Sequence, residues 1–267
     1  MLDTMQTIWT RRELLGILII RNLKIRYKGS MLGFFWSLLS PALLIVIYGV
    51  FAAILRFNEG RPHYLIFLVT GIIIWQFLNM CLNDSLHVVL GNANLVKKTA
   101  FPRLILPLSM VLANLINFLL TLLVLILFLL IMRMPLPGLG MVPVVVIWQM
   151  LLCLGLAGIL SAANVYMRDT EHILGVGSLA WFFLSPVFYP IELQMEFLPE
   201  HLSWLPFLNP MTGILYIYRL LLMGGEMPDV LVIPGWWLLI SAGVSLVVFA
   251  VGYVVFQKSQ RGFGDVL

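Results

Sequence analysis

Charge is what this chain has least of. Only 10% of its 267 residues are Asp, Glu, Lys or Arg, and its mean hydropathy is +1.03. A soluble domain carries roughly a quarter charged residues, so a water-soluble globular fold is excluded. Cysteine is nearly as scarce. Cys81 and Cys153 both lie inside apolar stretches, which argues against a disulfide framework or a thiolate metal site and leaves two inert buried thiols. No P-loop, Gly-rich dinucleotide fingerprint, Gly-x-Ser-x-Gly elbow or His/Cys cluster occurs, so the sequence supports neither catalysis nor a metal, and no nucleic-acid partner is expected. The absence that limits function most is that of ionisable residues from the depths of the apolar stretches. Proton- and sodium-coupled transporters keep carboxylates or broken helices at mid-membrane. Without such a relay, transport must draw its energy from outside the chain.

What the chain does have is length of apolar run. A helix crossing about 30 Å of hydrocarbon needs about 20 apolar residues. Six segments meet this requirement, at about 31–55, 64–83, 104–132, 143–165, 173–189 and 233–256. Pro107, near the start of the third, predicts a kink or a first turn outside the lipid. Between the segments the charges alternate in sign. Arg11, Arg12, Arg21, Lys24, Arg26, Lys28, Lys97, Lys98, Arg103, Arg168, Lys258 and Arg261 fall on one side. Arg56, Arg61, Arg133 and Arg219 fall on the other, with Glu59, Glu192, Glu196, Glu200, Glu226 and Asp229. The basic side is expected to be cytoplasmic, with both termini there. The run Leu14 to Ile20 is short and is followed by Arg21, Lys24, Arg26 and Lys28, so the N-terminus is expected to be retained rather than cleaved.

The expected fold is an all-α integral membrane protein in two parts. Residues 1–30 form a cytoplasmic amphipathic interface helix, with Leu14, Leu15, Leu18 and Ile19 at helical spacing among basic residues. Residues 31–267 form a domain of six transmembrane helices. Between spans five and six, at 190–232, the Asn209-Pro210 break leaves only Met211 to Met223 apolar, a helix of about 20 Å that is too short to cross. A pair of re-entrant outer helices is expected there, a geometry tolerated where protein or a water-filled cavity covers the backbone, and an interfacial amphipathic helix closing the top of the bundle is the alternative.

Candidate functional residues follow from these positions. His63, His87, His172 and His201 are scattered over loops and span ends, and solvation accounts for each. Asp84 with His87, and the run Arg168, Asp169, Glu171 and His172, are the nearest approaches to an acid–base site, but Asp169 or Thr170 also serves as a cap for the fifth span. Aromatic residues are more informative. Sugars stack on aromatic faces, so Phe34, Trp36, Trp75, Trp181, Phe182 and Tyr189 are candidates for the lining of a channel along which a polymer slides. Many aromatics in such a chain also serve as interface anchors. Loop 91–103 sets Lys97 and Lys98 beside apolar Leu95, Val96 and Phe101 and ends at Pro102-Arg103. A short helix with exposed apolar residues there suits a groove on a soluble partner, and a basic loop holding anionic headgroups is the alternative.

Five segments together resemble one family. They are Arg-Tyr-Lys-Gly-Ser-Met-Leu-Gly entering the first span, Asn-Leu-Val-Lys-Lys-Thr-Ala-Phe-Pro-Arg, Tyr-Met-Arg-Asp-Thr-Glu-His, Leu-Ser-Pro-Val-Phe-Tyr-Pro and Leu-Asn-Pro-Met-Thr. In this order the chain is similar to the membrane subunit of type-two ABC exporters, in the branch that exports O-antigen, capsule or teichoic-acid polymers on a lipid carrier. The resemblance implies a bacterial inner-membrane permease that is not itself an enzyme and holds no cofactor, ATP and Mg being bound by a partner. It implies a second copy of the chain, two ATP-binding cassette subunits and an undecaprenyl-linked glycan as partners, besides membrane lipids. The implied roles are ATPase coupling for Leu95, Lys97, Lys98, Phe101 and Arg103, and gating for Asn209, Pro210, Tyr216, Tyr218 and Arg219. Arg26 and Lys28 are expected to attract the lipid headgroup. A type-two permease for drugs or other lipids, a membrane-embedded glycosyl or acyl transferase and a passive channel remain as alternatives at this stage.

Overall fold

The computed structural model describes residues 9–27, 29–30, 32–54, 63–98, 101–226 and 233–267. Lys28, Arg56, Glu59, Arg61 and Asp229 lie outside the described residues. The described chain is helical, with no strand. We label its helices α1 (Arg12–Tyr27), α2 (Trp36–Ile54), α3 (Tyr64–His87), α4 (Ala93–Lys98), α5 (Ile105–Ile131), α6 (Val142–Tyr166), α7 (Thr170–Leu184), α8 (Glu192–Glu196), α9 (Pro210–Met223), α10 (Gly235–Ser259) and α11 (Phe263–Val266). Among the described residues four helices, α3, α5, α6 and α10, are long and apolar enough to cross a membrane. The bent pair around α9 makes up to five if it counts as one span. The apolar part of α2 is shorter, Leu38–Val50, and α7 has 15 residues, about 22 Å of helix.

Sidedness in these helices is reversed from that of a soluble protein. On α5 the buried face carries Ser109, Asn114 and Asn117 beside Phe118, Leu122, Leu125 and Leu129, while Leu119, Leu123, Leu127 and Leu130 face out. With no water in the hydrocarbon, polar groups turn inward to find partners and leucines meet lipid. Pro107 falls in the first turn of α5, where its missing N–H breaks no intrahelical bond, so no kink is required there.

Helix α6 is the axis of the bundle. It packs along α10 through a backbone contact of small residues: a Cβ on Gly155 would meet Phe249 Cα at 2.6 Å, and one on Gly158 would meet the Gly252 carbonyl oxygen at 2.9 Å. Glycine is needed on both sides of this crossing because backbone, not side chain, occupies the space. On its other face α6 grips α3, since Gln149 Nε2 donates to Ile74 O at 2.8 Å and Asn164 Nδ2 to Leu86 O at 2.8 Å. Trp148 Nε1 donates to Ser245 Oγ at 2.8 Å, and Ser241 Oγ to Phe207 O at 2.7 Å, which ties α6, α10 and the turn before α9 together.

Helix α1 lies across one end of this bundle. Leu18 is buried and Leu14 and Leu15 are half-buried, packed on a second apolar cluster that includes Val88, Val89, Val96, Ile105, Phe256 and Phe263. Ile17, Ile20 and Ile25 face out. This apolar face thus meets protein, and the opposite isoleucines are left for the surface.

Candidate transport pathway and coupling face

The end of the bundle away from α1 is organised around the C-terminus of α7. The last carbonyls of a helix have no intrahelical partner and must be satisfied from elsewhere. Here α9 and its neighbours supply the donors. Asn209 Nδ2 donates to Ser185 Oγ at 2.9 Å and to Leu184 O at 3.3 Å, and Gln194 Nε2 donates to Leu184 O at 2.9 Å. Asn209 also accepts from Met211 N at 3.1 Å as the N-cap of α9, with Pro210 next in the first turn. Arg219, 2% exposed, donates to Pro186 O and Val187 O at 2.6 Å and to Phe67 O at 3.2 Å. Its guanidinium lies over the Phe67 ring, 3.4 Å from the centroid. Tyr64 hydroxyl donates to Phe188 O at 2.6 Å. A buried cation thus closes a turn by saturating carbonyls, without a carboxylate hydrogen bond or ion pair to it among the described residues.

The clamped turn holds an aromatic series in place. Trp75 packs edge-on against Trp181 at 5.9 Å and Phe182 at 5.5 Å. Phe182 contacts Phe183 at 5.4 Å and Phe188 at 5.8 Å, and Phe188 contacts Tyr189 at 5.0 Å. Trp181 Nε1 donates to Asn209 Oδ1 at 2.8 Å, so the same amide that caps α9 also fixes the indole. The series runs from the core, where Trp75 is buried, to Phe183, which is 55% exposed.

At the other end, three polar residues of α1 fasten it to the bundle. Arg26 pairs with Asp84 and donates to Asn114 Oδ1 at 2.6 Å. Arg21 donates to Asn92 Oδ1 at 2.7 Å, and Asn22 Nδ2 to Ser109 Oγ at 3.3 Å. The neighbouring α4 buries Val96 and leaves Lys97 exposed. The C-terminal end of the chain supports it, because Phe263 is fully buried against Phe256 and Tyr166, and Arg103 donates to Gln260 O.

Residues 13–223 match the family model described as ABC-2 type transporter. The chain belongs to this family. Over nearly its whole length it is also similar to proteins described as O-antigen export system permease protein RfbA. One from Klebsiella pneumoniae is 33% identical over 262 residues, 96% of this chain and 95% of the relative. One from Myxococcus xanthus is 31% identical over 267 residues, 99% of each. As an ABC-2 transporter chain it is a multi-pass membrane permease that works with an ATP-binding subunit.

Within this ABC-2 permease the expected site residues sort unevenly. Trp75, Trp181, Phe182 and Tyr189 join one aromatic series, whereas Trp36 lies elsewhere, beside Arg26 on the wall of a cavity between α2, α3 and α5. The side chains of Phe34 and Lys98 lie outside the described residues. Tyr218 is a core residue, edge-on to Phe118 at 6.4 Å, and Tyr216 is buried. The apolar residues expected to be exposed on loop 91–103 face inward instead: Val96 is 3% exposed, and Leu95 and Phe101 are half-buried on the inner cluster. They turn inward because the gap left by α1, α5 and α11 is apolar. Asp169 stands at the N-cap of α7 without a side-chain cap bond, and Thr170 Oγ1 instead donates to Met167 O at 2.6 Å. Asn22 and Phe263 have no local signal that marks them in the sequence.

Proposed function

We propose that this chain is the membrane subunit of an ATP-driven exporter that carries a lipid-linked polysaccharide of O-antigen type across the bacterial inner membrane. The observation that carries this reading is its similarity, at 31–33% identity over at least 96% of the chain, to permeases described as O-antigen exporters. In this reading α2, α3, α5, α6, α7 and α10 are six spans with both termini cytoplasmic, and the 94° bend before α9 makes a re-entrant outer gate. Two copies pair, and the channel runs between them, with the aromatic series from Trp75 to Tyr189 offering stacking surface to successive sugars. Two ATP-binding cassette subunits press on α4 from inside, with Lys97 as their exposed contact. The transmitted push passes through Val96 and Phe263 into α5 and α10. Undecaprenyl diphosphate is the carrier, and its charge is met at the basic cytoplasmic end.

The experiment is genetic. A strain lacking this chain should accumulate lipid-linked polymer inside and lose it from the surface, with recovery on re-expression. Unchanged surface polymer in that strain overturns the reading. Replacing Lys97, Lys98 and Phe101 together should leave the chain inserted and abolish export while the ATPase still turns over. Full export by that variant overturns the coupling role.

A further inference from the structure

At the α1 end lies a cavity of about 430 Å³, lined in part by Arg21, Asn22, Arg26, Asp84, His87 and Asn92. Its charges do not balance. Arg26 is matched by Asp84, and His87 faces Glu171 at 3.8 Å. Arg21 has no carboxylate: among the described residues its partners are the amide oxygens of Asn92 at 2.7 Å and Asn22 at 3.5 Å. Its Nε is buried without a hydrogen-bond partner, and so is Arg26 Nη1. Two guanidinium groups therefore border one cavity that holds a single acid. Leaving a charged donor unsatisfied out of water is costly, and a guanidinium presents a planar fork suited to phosphoryl oxygens.

The surroundings say what kind of anion fits. Arg26 also borders a second cavity of about 270 Å³ between α2, α3 and α5, whose walls include Trp36, Pro41, Leu44, Ile73 and Phe118, with Ser40, Gln76, Asn117 and Thr121 as its other polar residues. A cationic cup opening beside a mostly apolar trough matches an amphiphile, with its headgroup in the first and the start of its chain in the second. A free soluble anion would have no use for the trough.

We propose that the Arg21 cavity is a binding site for the phosphoryl headgroup of a membrane lipid, with Arg21 as its principal ligand and Asn92 holding the guanidinium in place. This rests on the reading that the α1 end faces the cytoplasmic leaflet, and it assigns the headgroup to Arg21 rather than to the exposed lysines of α4. The phosphoryl group comes from one of two sources, an anionic phospholipid of the bilayer or the diphosphate of the polymer carrier.

The test is lipid retention. The purified permease with its ATPase partner is placed in phosphatidylcholine nanodiscs doped with phosphatidylglycerol or with undecaprenyl diphosphate, then extracted, and the lipids that remain bound are counted by native mass spectrometry. Wild type should keep the doped lipid, and R21Q, which loses a charge-assisted contact, should keep it about tenfold less. Gly91→Leu is a second variant that leaves every charge intact. Gly91 lines the cavity and a Cβ there meets nothing within 4 Å, so a larger side chain starts into open space beside the cup. It should lose the lipid as well. Lys97→Gln should keep it. Retention of phosphatidylglycerol assigns the site to the bilayer and retention of the diphosphate assigns it to the carrier, each in support. Equal retention by wild type, R21Q and Gly91→Leu overturns the site, as does equal loss in Lys97→Gln, which would mean diffuse surface attraction. A chain that exports polymer but keeps neither lipid loses this site alone; one that keeps lipid but exports nothing loses the transport reading alone.

Discussion

Arg219 shows how much a single side chain can hold together. It stands 32 to 152 residues away in sequence from the three carbonyls it saturates, and no local pattern pairs it with them. Taken as a lone cation in an apolar run, it reads as a gate residue. In place, it is the clamp that fixes the turn after α7 and with it Phe188 and Tyr189. Arg219→Leu should strip the Pro186 and Val187 carbonyls of their donor and destabilise the protein by about 3 kcal/mol or more. Thermal melting in detergent would read this as a large fall in midpoint, and an unchanged midpoint would refute the clamp. Arg219→Lys should recover only part of it, because an ammonium cannot span the carbonyls as a planar fork or lie flat on Phe67. The break at Asn209-Pro210 was legible; that the Asn209 amide caps α9 and also holds Trp181 and Ser185 was not.

At the scale of elements, the α6–α10 crossing is the most constrained contact. Gly155, Gly158 and Gly252 let two backbones touch, so Gly252→Leu has no room to relax by rotamer change. It should cost more than the 1–3 kcal/mol typical of overpacking, seen as loss of folded permease on size-exclusion chromatography. A Gly243→Leu control, at a position where a Cβ meets nothing, should fold normally. The period of helix α1 was plain, yet period alone cannot say whether an apolar face meets lipid or protein; Arg21, Asn22 and Arg26 decide it by finding Asn92, Ser109 and Asp84. Asp84→Ala should loosen α1, and faster proteolysis near Tyr27 in that variant would report it.

For the whole molecule, orientation is the property that matters most to transport. Cys81 and Cys153 are fully buried, so they stay silent to a thiol probe and leave introduced cysteines to speak alone. A cysteine at Lys97 should react with an impermeant maleimide only after the inner face is opened, and one at Phe197, which is 88% exposed, should react from outside at once. The reverse pattern would invert the topology. The exposed apolar faces of α2 and α7 lie at the margin of the bundle, where lipid or a second copy must cover them.

The sequence alone determined the solvent of this protein, the rough limits of its long apolar segments and the break at Asn209-Pro210. All of these follow from composition and spacing, which act locally along one strand of covalent bonds. Only tertiary structure decided which face of each helix turned inward, that loop 91–103 packs Leu95, Val96 and Phe101 on the inner cluster, and that Arg26 meets Asp84 while Arg21, among the described residues, meets amide oxygens. Those outcomes depend on desolvation and donor–acceptor matching between residues tens to hundreds of positions apart, and in lipid such matching is obligatory because no water stands ready to replace a missing partner.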